Sequence, residues 1–209
     1  MVCCSYRGYW TSRGRPSETG IAKDAAAALK WIKQQHDSEL SGRDDGEVPV
    51  VLWGQSIGAG VAANLGAAKQ HFLQGLVLRA LILETPFLSI RAMLETLYPQ
   101  KWLPYKYLWP FLRNHFDTPR ALGLIKQGFD PKTPRILILE AGRDELVPSS
   151  HGEMLEARCL ELGLDVKKKA VHSALHQEAM VRQGGIETVV DTIQEAAQET
   201  QEPEGTKKI

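Results

Sequence analysis

The most informative stretch of this sequence is Val48-Pro49-Val50-Val51-Leu52-Trp53-Gly54-Gln55-Ser56-Ile57-Gly58. Its first six residues are apolar and rich in β-branched side chains, which is typical of a buried strand, and the proline stands near the start, where a strand tolerates it. Gly54 ends this strand, and the small residues between positions 57 and about 70 predict a helix packed closely against a sheet. The stretch therefore predicts a strand, a tight turn and a helix, with a serine in the turn.

The turn around Ser56 has the composition that nucleophilic catalysis needs. A serine hydroxyl is a poor nucleophile at neutral pH, so it requires a general base and a geometry that holds its oxygen away from its own backbone. Gly54 and Gly58 are expected to be small because the strand and helix backbones crowd there. The helix that begins at Ile57 directs its positive end, and the Ile57 amide, toward an oxyanion forming beside the serine. We interpret Ser56 as a nucleophile; the alternative is a serine that only caps the helix.

Apolar strands and helices alternate on both sides of this turn. Residues 2–6 are predicted to form a short buried strand, and Ser17 is predicted to be the N-cap of a helix that ends at about His36. Strands are predicted within 76–84 and at 135–139 and 166–171, and helices at 150–162 and 177–198. Apolar strands that alternate with helices indicate an α/β fold with a mostly parallel sheet covered on both faces.

Two segments interrupt this pattern. Residues 88–128 are rich in prolines and aromatic side chains, and we interpret them as a lid insertion over an apolar pocket, with ordinary packing as the alternative. The aromatic residues of this segment include Trp102, Tyr105, Tyr107 and Trp109. Residues 199–209 are charged and are predicted to be a disordered tail, so a single domain is expected to span residues 1–198.

The candidate acid follows the strand at 135–139. Asp144 lies just beyond the end of this strand, and Glu140 and Glu145 are weaker candidates. The segment Ser150-His151-Gly152-Glu153 is predicted to be the capping box of the next helix, which leaves Asp144 free for another role. A nucleophile followed along the chain by an acid and then a base fits this architecture.

The candidate base is one of two histidines that follow the last strand. His176 is separated from the strand by a short loop, which is expected to bring its ring over the carboxyl edge of the sheet. His172 continues the strand and remains the alternative. The other histidines are predicted to be solvated, and they are His36, His71, His115 and His151.

The composition excludes some classes of partner. Lysine plus arginine and aspartate plus glutamate both number 25, so the net charge is zero and no overall field attracts nucleic acid or an acidic membrane. No apolar run approaches the roughly 18 to 20 residues that span a bilayer, and the first residues do not resemble a signal peptide. We therefore expect a cytoplasmic monomer that binds a small substrate and no nucleic acid, and peripheral membrane binding through the aromatic lid is a weaker hypothesis.

The cysteines carry no predicted chemistry. Cys3 and Cys4 are adjacent and poorly placed to staple a fold, which indicates a reducing compartment. Neither these two nor Cys159 has metal-ligand spacing or a convincing histidine partner in sequence, so all three are expected to be small buried side chains. We expect neither a metal nor an organic cofactor.

Four segments together resemble the serine-aminopeptidase-like branch of the α/β-hydrolase superfamily, near the fungal bud-emergence type and the animal depalmitoylating hydrolases. They are Ser5-Tyr6-Arg7-Gly8-Tyr9 with Gly14-Arg15-Pro16-Ser17-Glu18, Trp53-Gly54-Gln55-Ser56-Ile57-Gly58, Leu83-Glu84-Thr85-Pro86-Phe87, and Gly142-Arg143-Asp144-Glu145-Leu146-Val147-Pro148. The resemblance covers residues 2–182. It implies an α/β-hydrolase fold and a serine hydrolase that cleaves an ester, thioester or small peptide bond through an acyl-enzyme. It also implies that Ser56 is the nucleophile, Asp144 the acid and His176 the base.

The chain departs from this family in two places. Ala174 and Leu175 precede His176, where the family commonly has glycine. The chain also starts after the strand and loop that donate a second oxyanion amide in the family, so a truncated sheet is expected. Three alternatives remain open. The strands at 2–6 and 48–53 pair with each other, a gap remains between them, or the sequence is part of a longer protein. Losing one oxyanion donor typically costs about 100- to 1,000-fold in turnover, so the alternative function is an inactive, hydrolase-like binding protein.

Overall fold

The computed structural model describes residues 1–39, 47–72, 75–100 and 111–198. The strands within these ranges are β1 (Val48–Gln55), β2 (Leu76–Glu84), β3 (Arg135–Ala141) and β4 (Val166–Val171). The helices are α1 (Glu18–Glu39), α2 (Ile57–Ala67), α3 (Ile90–Leu97), α4 (Thr118–Phe129), α5 (Ser149–Glu161) and α6 (Gln183–Gln198), with a short 3₁₀ helix at Lys69–Phe72. The predicted α/β class is confirmed.

The described strands form one parallel sheet in the order β1-β2-β3-β4. The register aligns Gln55 with Glu84, Glu84 with Leu139, and Ala141 with Val171. Because the strands are parallel and their last residues are paired, the turns that follow them all meet at one edge of the sheet. We call this the carboxyl edge.

The core lies on both faces of the sheet. On one face, α2, α4 and α5 bury residues such as Ala59, Leu122 and Leu155 against the odd-numbered β2 side chains Leu81 and Leu83. On the other face, α6 covers the alternate residues, and the buried cluster there is Ile82, Leu137, Leu139, Ala141, Val171, Ala174, Ala179 and Val189. This alternation follows from the two-residue repeat of a strand. The fold therefore fixes the carboxyl edge from both faces.

The N-terminal strand prediction is wrong. Residues 1–6 form no strand, and Cys3 and Cys4 are exposed, so the expectation that these cysteines are buried is also wrong, whereas Cys159 is buried as expected. No described strand pairs with the outer edge of β1, and a strand that has no neighbour gains no ladder hydrogen bonds. The segment is instead tied to α1, because Asp24 accepts hydrogen bonds from the guanidinium and the main-chain N–H of Arg7.

Several helix boundaries differ from the predictions. Ser17 does cap α1, since its Oγ accepts the Gly20 N–H at 3.1 Å. The capping box predicted for α5 is wrong, because Pro148 occupies the N-cap without any side-chain bond. His151 was expected to be solvated but is buried, and its Nδ1 accepts the Leu88 N–H at 3.3 Å. Burial lowers the pKa of His151.

The last helix begins at Gln183 rather than at residue 177. Residues 176–181 form turns instead, and the main-chain N–H of Met180 donates to the Glu84 side chain at 3.0 Å. Because this bond holds the segment against the sheet, a regular helix starts only after it.

Within the described residues, the segment predicted as a lid includes the helices α3 and α4. The second, α4, is part of the core, and its Leu122 and Ile125 are fully buried. The lid therefore stays a prediction only for the part of the segment before α4. The aromatic residues named for the lid, at 102, 105, 107 and 109, and the predicted tail at 199–209 lie outside the described residues. Within the described ranges, no helix combines the length and apolarity needed to cross a bilayer.

Candidate active site

Ser56 lies in a tight turn between β1 and α2, at the carboxyl edge. Its φ of 53° is in the left-handed region, which non-glycine residues rarely adopt and which is typical of strained functional turns. Its main-chain N–H donates to the Glu84 carbonyl at 2.9 Å. Its side chain makes no hydrogen bond to the helix end, which does not support the interpretation as a cap.

The two glycines beside the serine have different roles. A Cβ built on Gly54 would lie 1.9 Å from the carbonyl oxygen of Gly58, so no side chain fits there. A Cβ built on Gly58 would meet nothing within 4 Å, so the expectation that crowding forbids a side chain at this position is wrong. The crowding comes from the Gly58 main chain against position 54. Only Gly54 is therefore required by the close approach of strand and helix.

Asp144 and His176 form a buried pair at the same edge. Asp144 lies in the turn after β3, and its carboxylate oxygens are 2.8 and 3.0 Å from His176 Nδ1. The two side chains are only 7% and 6% exposed. Asp144 Oδ1 also accepts the main-chain N–H groups of Leu146 and Val147, at 2.9 and 2.8 Å. These amides fix the orientation of the carboxylate toward the imidazole.

The structure separates the two candidate histidines. His176 reaches Asp144, whereas His172 is exposed in the turn directly after β4. A Cβ built on Gly142 would lie 2.5 Å from the His172 Cα, so the main chain at 172 is packed closely against the turn that carries Asp144. Ala174 is fully buried between the two histidines. The loop after β4 therefore brings His176, rather than the exposed His172, into contact with Asp144.

The weaker acid candidates are close to the pair but do not contact the imidazole in the structure. The Glu145 carboxylate accepts the main-chain N–H of His176 at 3.0 Å, which holds the backbone of the loop. Glu140 points the other way, toward the start of α5, where its Oε1 would lie 1.8 Å from a Cβ built on Gly152. Burial raises the pKa of the Glu140 carboxyl. Asp144 is the carboxylate that the structure places on the His176 ring.

Glu84 is a site residue for which the sequence analysis predicted no role. It ends β2, is 3% exposed, and accepts hydrogen bonds from Trp53 Nε1 at 3.1 Å and Gln55 Nε2 at 3.2 Å. Burial is the largest influence on its carboxyl and raises its pKa. The signal in the sequence is a charged residue directly after the apolar run at 80–83.

Gln55 connects the two parts of the site. Its Nε2 also lies 3.4 Å from the main-chain oxygen of His176. Ser56 follows Gln55 directly in the chain, so the serine turn and the histidine loop are neighbours at the carboxyl edge. Ile57, the first residue of α2, presents its amide at the helix N-terminus beside the serine. No group of three or more His, Cys, Asp or Glu residues in the described part of the chain is arranged to hold a metal ion.

No family model matches the chain, but sequence relatives were found. The α/β-hydrolase domain-containing protein WAV2 of Arabidopsis thaliana is 33% identical over 191 residues, which cover 87% of this chain and 56% of WAV2. Protein bem46 of Schizosaccharomyces pombe is 29% identical over 194 residues, which cover 91% and 56%. The lysophosphatidylserine lipase ABHD12 of Danio rerio is 35% identical over 159 residues, which cover 74% and 38%. The chain spans about half the length of the curated relatives it matches.

The solved structures agree on the fold. An α/β hydrolase from Vibrio vulnificus matches with a TM-score of 0.67 at 21% identity, covering 90% of this chain and 61% of that one. A parallel sheet flanked by helices, with a serine in the tight turn between a strand and a helix, is the arrangement of the α/β-hydrolase fold. The chain belongs to the α/β-hydrolase superfamily, in the branch that contains WAV2, bem46 and ABHD12.

Proposed function

We propose that this chain is a serine hydrolase that cleaves an ester, thioester or small peptide bond, with a carboxylic ester as the favoured substrate. The observation that carries the proposal is the buried Asp144–His176 pair, which lies at the same sheet edge as the strained Ser56 turn. The burial of this pair, together with a neighbouring serine held at positive φ, favours a catalytic role over a structural ion pair. The arrangement fits a nucleophile, a base and an acid acting together.

The proposed reaction runs through an acyl-enzyme. The Ser56 hydroxyl oxygen attacks the substrate carbonyl carbon while His176 Nε2 takes the hydroxyl proton. Asp144, bonded to Nδ1, keeps the imidazole in the tautomer that leaves Nε2 free to accept. The tetrahedral intermediate collapses, the bond to the leaving group breaks, and His176 returns the proton to that group. Water then attacks the acyl carbon by the same route and regenerates the serine.

The Ile57 amide is proposed to stabilise the negative charge that forms on the carbonyl oxygen. It belongs to the first turn of α2, where main-chain N–H groups have no partner within the helix and the helix dipole is positive. A donor fixed in this position needs no reorganisation as the charge develops. No bound metal takes part in the proposed steps.

The relatives favour a lipid ester within this class. ABHD12 of Danio rerio is named as a lysophosphatidylserine lipase, and an esterase from Pyrococcus furiosus shares the fold with a TM-score of 0.59. We infer that the substrate is an ester with an apolar acyl chain, in line with the aromatic lid predicted from the sequence.

Labelling with a fluorophosphonate probe tests the proposal. Wild-type protein is expected to become labelled, Ser56→Ala to remain unlabelled, and Ser150→Ala, which changes an exposed serine of α5, to be labelled like the wild type. Circular dichroism should show that all three proteins are folded. Folded wild-type protein that takes up no probe would contradict the proposed activity.

A second candidate is a hydrolase-like protein that binds a ligand without turnover. It is favoured by the outer edge of β1, with which no described strand pairs, so no described strand-end loop lies beside Ser56 on that side to donate a second amide. The labelling experiment separates the two candidates. Saturable binding of a lysophospholipid to folded but unlabelled protein would support this second candidate.

A further inference from the structure

Glu84 is a carboxylate in a place where carboxylates are costly. It ends β2, is 3% exposed, and follows the fully buried residues Ile82 and Leu83. A buried carboxylate is destabilising unless hydrogen-bond donors surround it. The proposed reaction gives Glu84 no chemical step, so its presence at this position needs another explanation.

The Glu84 carboxylate is surrounded by three donors from two parts of the chain. Oε2 accepts the indole N–H of Trp53 at 3.1 Å, and Oε1 accepts the side-chain amide of Gln55 at 3.2 Å and the main-chain N–H of Met180 at 3.0 Å. Trp53 and Gln55 lie on β1 at the serine turn, whereas Met180 lies four residues after His176. One side chain therefore joins the serine side of the site to the histidine side.

The same residue also holds the serine turn through its main chain. The Glu84 carbonyl accepts the Ser56 N–H at 2.9 Å, and Gln55 Nε2 reaches the His176 carbonyl at 3.4 Å. The acid has its own supports in the amides of Leu146 and Val147. Among the described residues, hydrogen bonds through Glu84 and Gln55 join the histidine loop directly to the serine side of the site.

We propose that Glu84 is a positioning residue, whose buried carboxylate holds the loop that carries His176 in register with the turn that carries Ser56. This inference rests on the proposed function, because it assigns a role within the same serine–histidine site. Glu84 acts on the reaction through the histidine loop and does not touch the reacting atoms.

Replacing the carboxylate by an apolar side chain of similar length gives the main test. Glu84→Met removes both acceptor oxygens and should lower kcat for a p-nitrophenyl acyl ester about 100-fold, the loss expected from a displacement of about 1 Å, while KM changes little. A wild-type kcat in Glu84→Met would overturn the inference. The wild type must hydrolyse the ester and label at Ser56 in the same experiment, so a failure of the proposed function is recognised separately.

A conservative pair of substitutions tests rescue. In Glu84→Gln the amide oxygen can still accept from Met180 and Gln55, but the amide NH₂ then faces the indole N–H of Trp53. Trp53→Phe removes that donor, so the double variant Glu84→Gln/Trp53→Phe should recover most of the wild-type kcat. If the double variant is as slow as Glu84→Met, the hydrogen bond to the histidine loop is not the cause of the loss and the inference fails.

A core variant separates positioning from stability. Ile125→Val removes a methyl group from a fully buried side chain of α4, remote from the carboxyl edge, and should lower Tm without lowering kcat. If Glu84→Met does not fold, Gln55→Leu replaces it, since this exposed residue tolerates an apolar side chain. Gln55→Leu should lower kcat severalfold at unchanged KM, and an unchanged kcat would contradict the inference.

Discussion

The inner strand β3 and the outer strand β1 differ in how deeply the fold buries them. In β3, residues 136–139 are fully buried, with helices on both faces of the sheet, and the turn that follows β3 carries Asp144, which contacts His176. β1 and β4 are the two outer strands of the described sheet, and β1, whose side chains are mostly half-buried, carries the serine turn. The Asp144 and His176 side chains are therefore buried at the carboxyl edge, whereas Ser56 lies in a strained turn after a less buried strand.

The largest expected effect distinguishes the two histidines that follow β4. His176→Gln should lower kcat/KM for an ester substrate about 10⁴-fold, or about 5.5 kcal/mol, because the proton acceptor is lost. The matched variant His172→Gln alters an exposed side chain and should leave kcat/KM close to the wild-type value. Steady-state kinetics on both proteins, checked for equal Tm, gives the comparison. A larger loss in His172→Gln than in His176→Gln would contradict the proposal that His176 is the base.

Near β1, we expect an added side chain to be most destabilising in the turn that carries Ser56. Gly54→Ala places a Cβ 1.9 Å from the Gly58 carbonyl oxygen, which the turn cannot accommodate without moving, and we expect a loss of about 3 kcal/mol or more in the free energy of unfolding. Gly58→Ala meets no atom within 4 Å and should be neutral or stabilising by up to about 1 kcal/mol. Urea denaturation measures both. Equal stabilities would refute the one-sided crowding described for this turn.

Substitution of one leucine in β3 and one in β1 compares how much each strand's burial contributes to stability. Leu137→Ala, at a fully buried site in β3, should cost about 2 to 5 kcal/mol of unfolding free energy. Leu52→Ala, at a half-buried site in β1, should cost clearly less, because less surface is returned to water. The same denaturation series tests this pair, and a greater cost at position 52 would reverse the comparison.

The smallest effect concerns pH and the N-terminal segment outside β1. The Arg7 guanidinium lowers the pKa of Asp24 to about 2, below the ordinary carboxyl value. The pair therefore contributes stability above about pH 4, and this contribution is lost as the pH falls toward 2. Because the pair is partly exposed, we expect only a small change in Tm between pH 6 and pH 3, and a smaller one in Asp24→Asn. An identical acid dependence in both proteins would contradict a role for the pair.

The sequence was informative where local pattern determines the structure. The run at 48–53 and the glycine at 54 placed the strand and the turn, since apolar β-branched residues and a close backbone approach leave few alternatives. Ser17 and the strand at 166–171 were predicted for similar local reasons. The order of serine, aspartate and histidine along the chain also pointed to the carboxyl edge before any geometry was known.

The sequence failed where the outcome depends on distant partners. Residues 2–6 have the composition of a strand but form none, because no described neighbour pairs with them. His151 was expected in solvent, yet the main-chain N–H of Leu88 and the packing at the start of α5 bury it. Glu84 was overlooked because its donors come from positions up to 96 residues away. Such contacts follow from the tertiary fold and leave no short-range pattern.

A crystal structure of the protein after reaction with a fluorophosphonate would show whether Ser56, His176 and Asp144 act at one site. We expect phosphorus bonded to Ser56 Oγ, the phosphonyl oxygen about 3 Å from the Ile57 amide, and His176 Nε2 within hydrogen-bond distance of the adduct. Phosphorus on another residue, or an adduct at Ser56 with the His176 ring turned away from it, would contradict a shared serine–histidine–aspartate site.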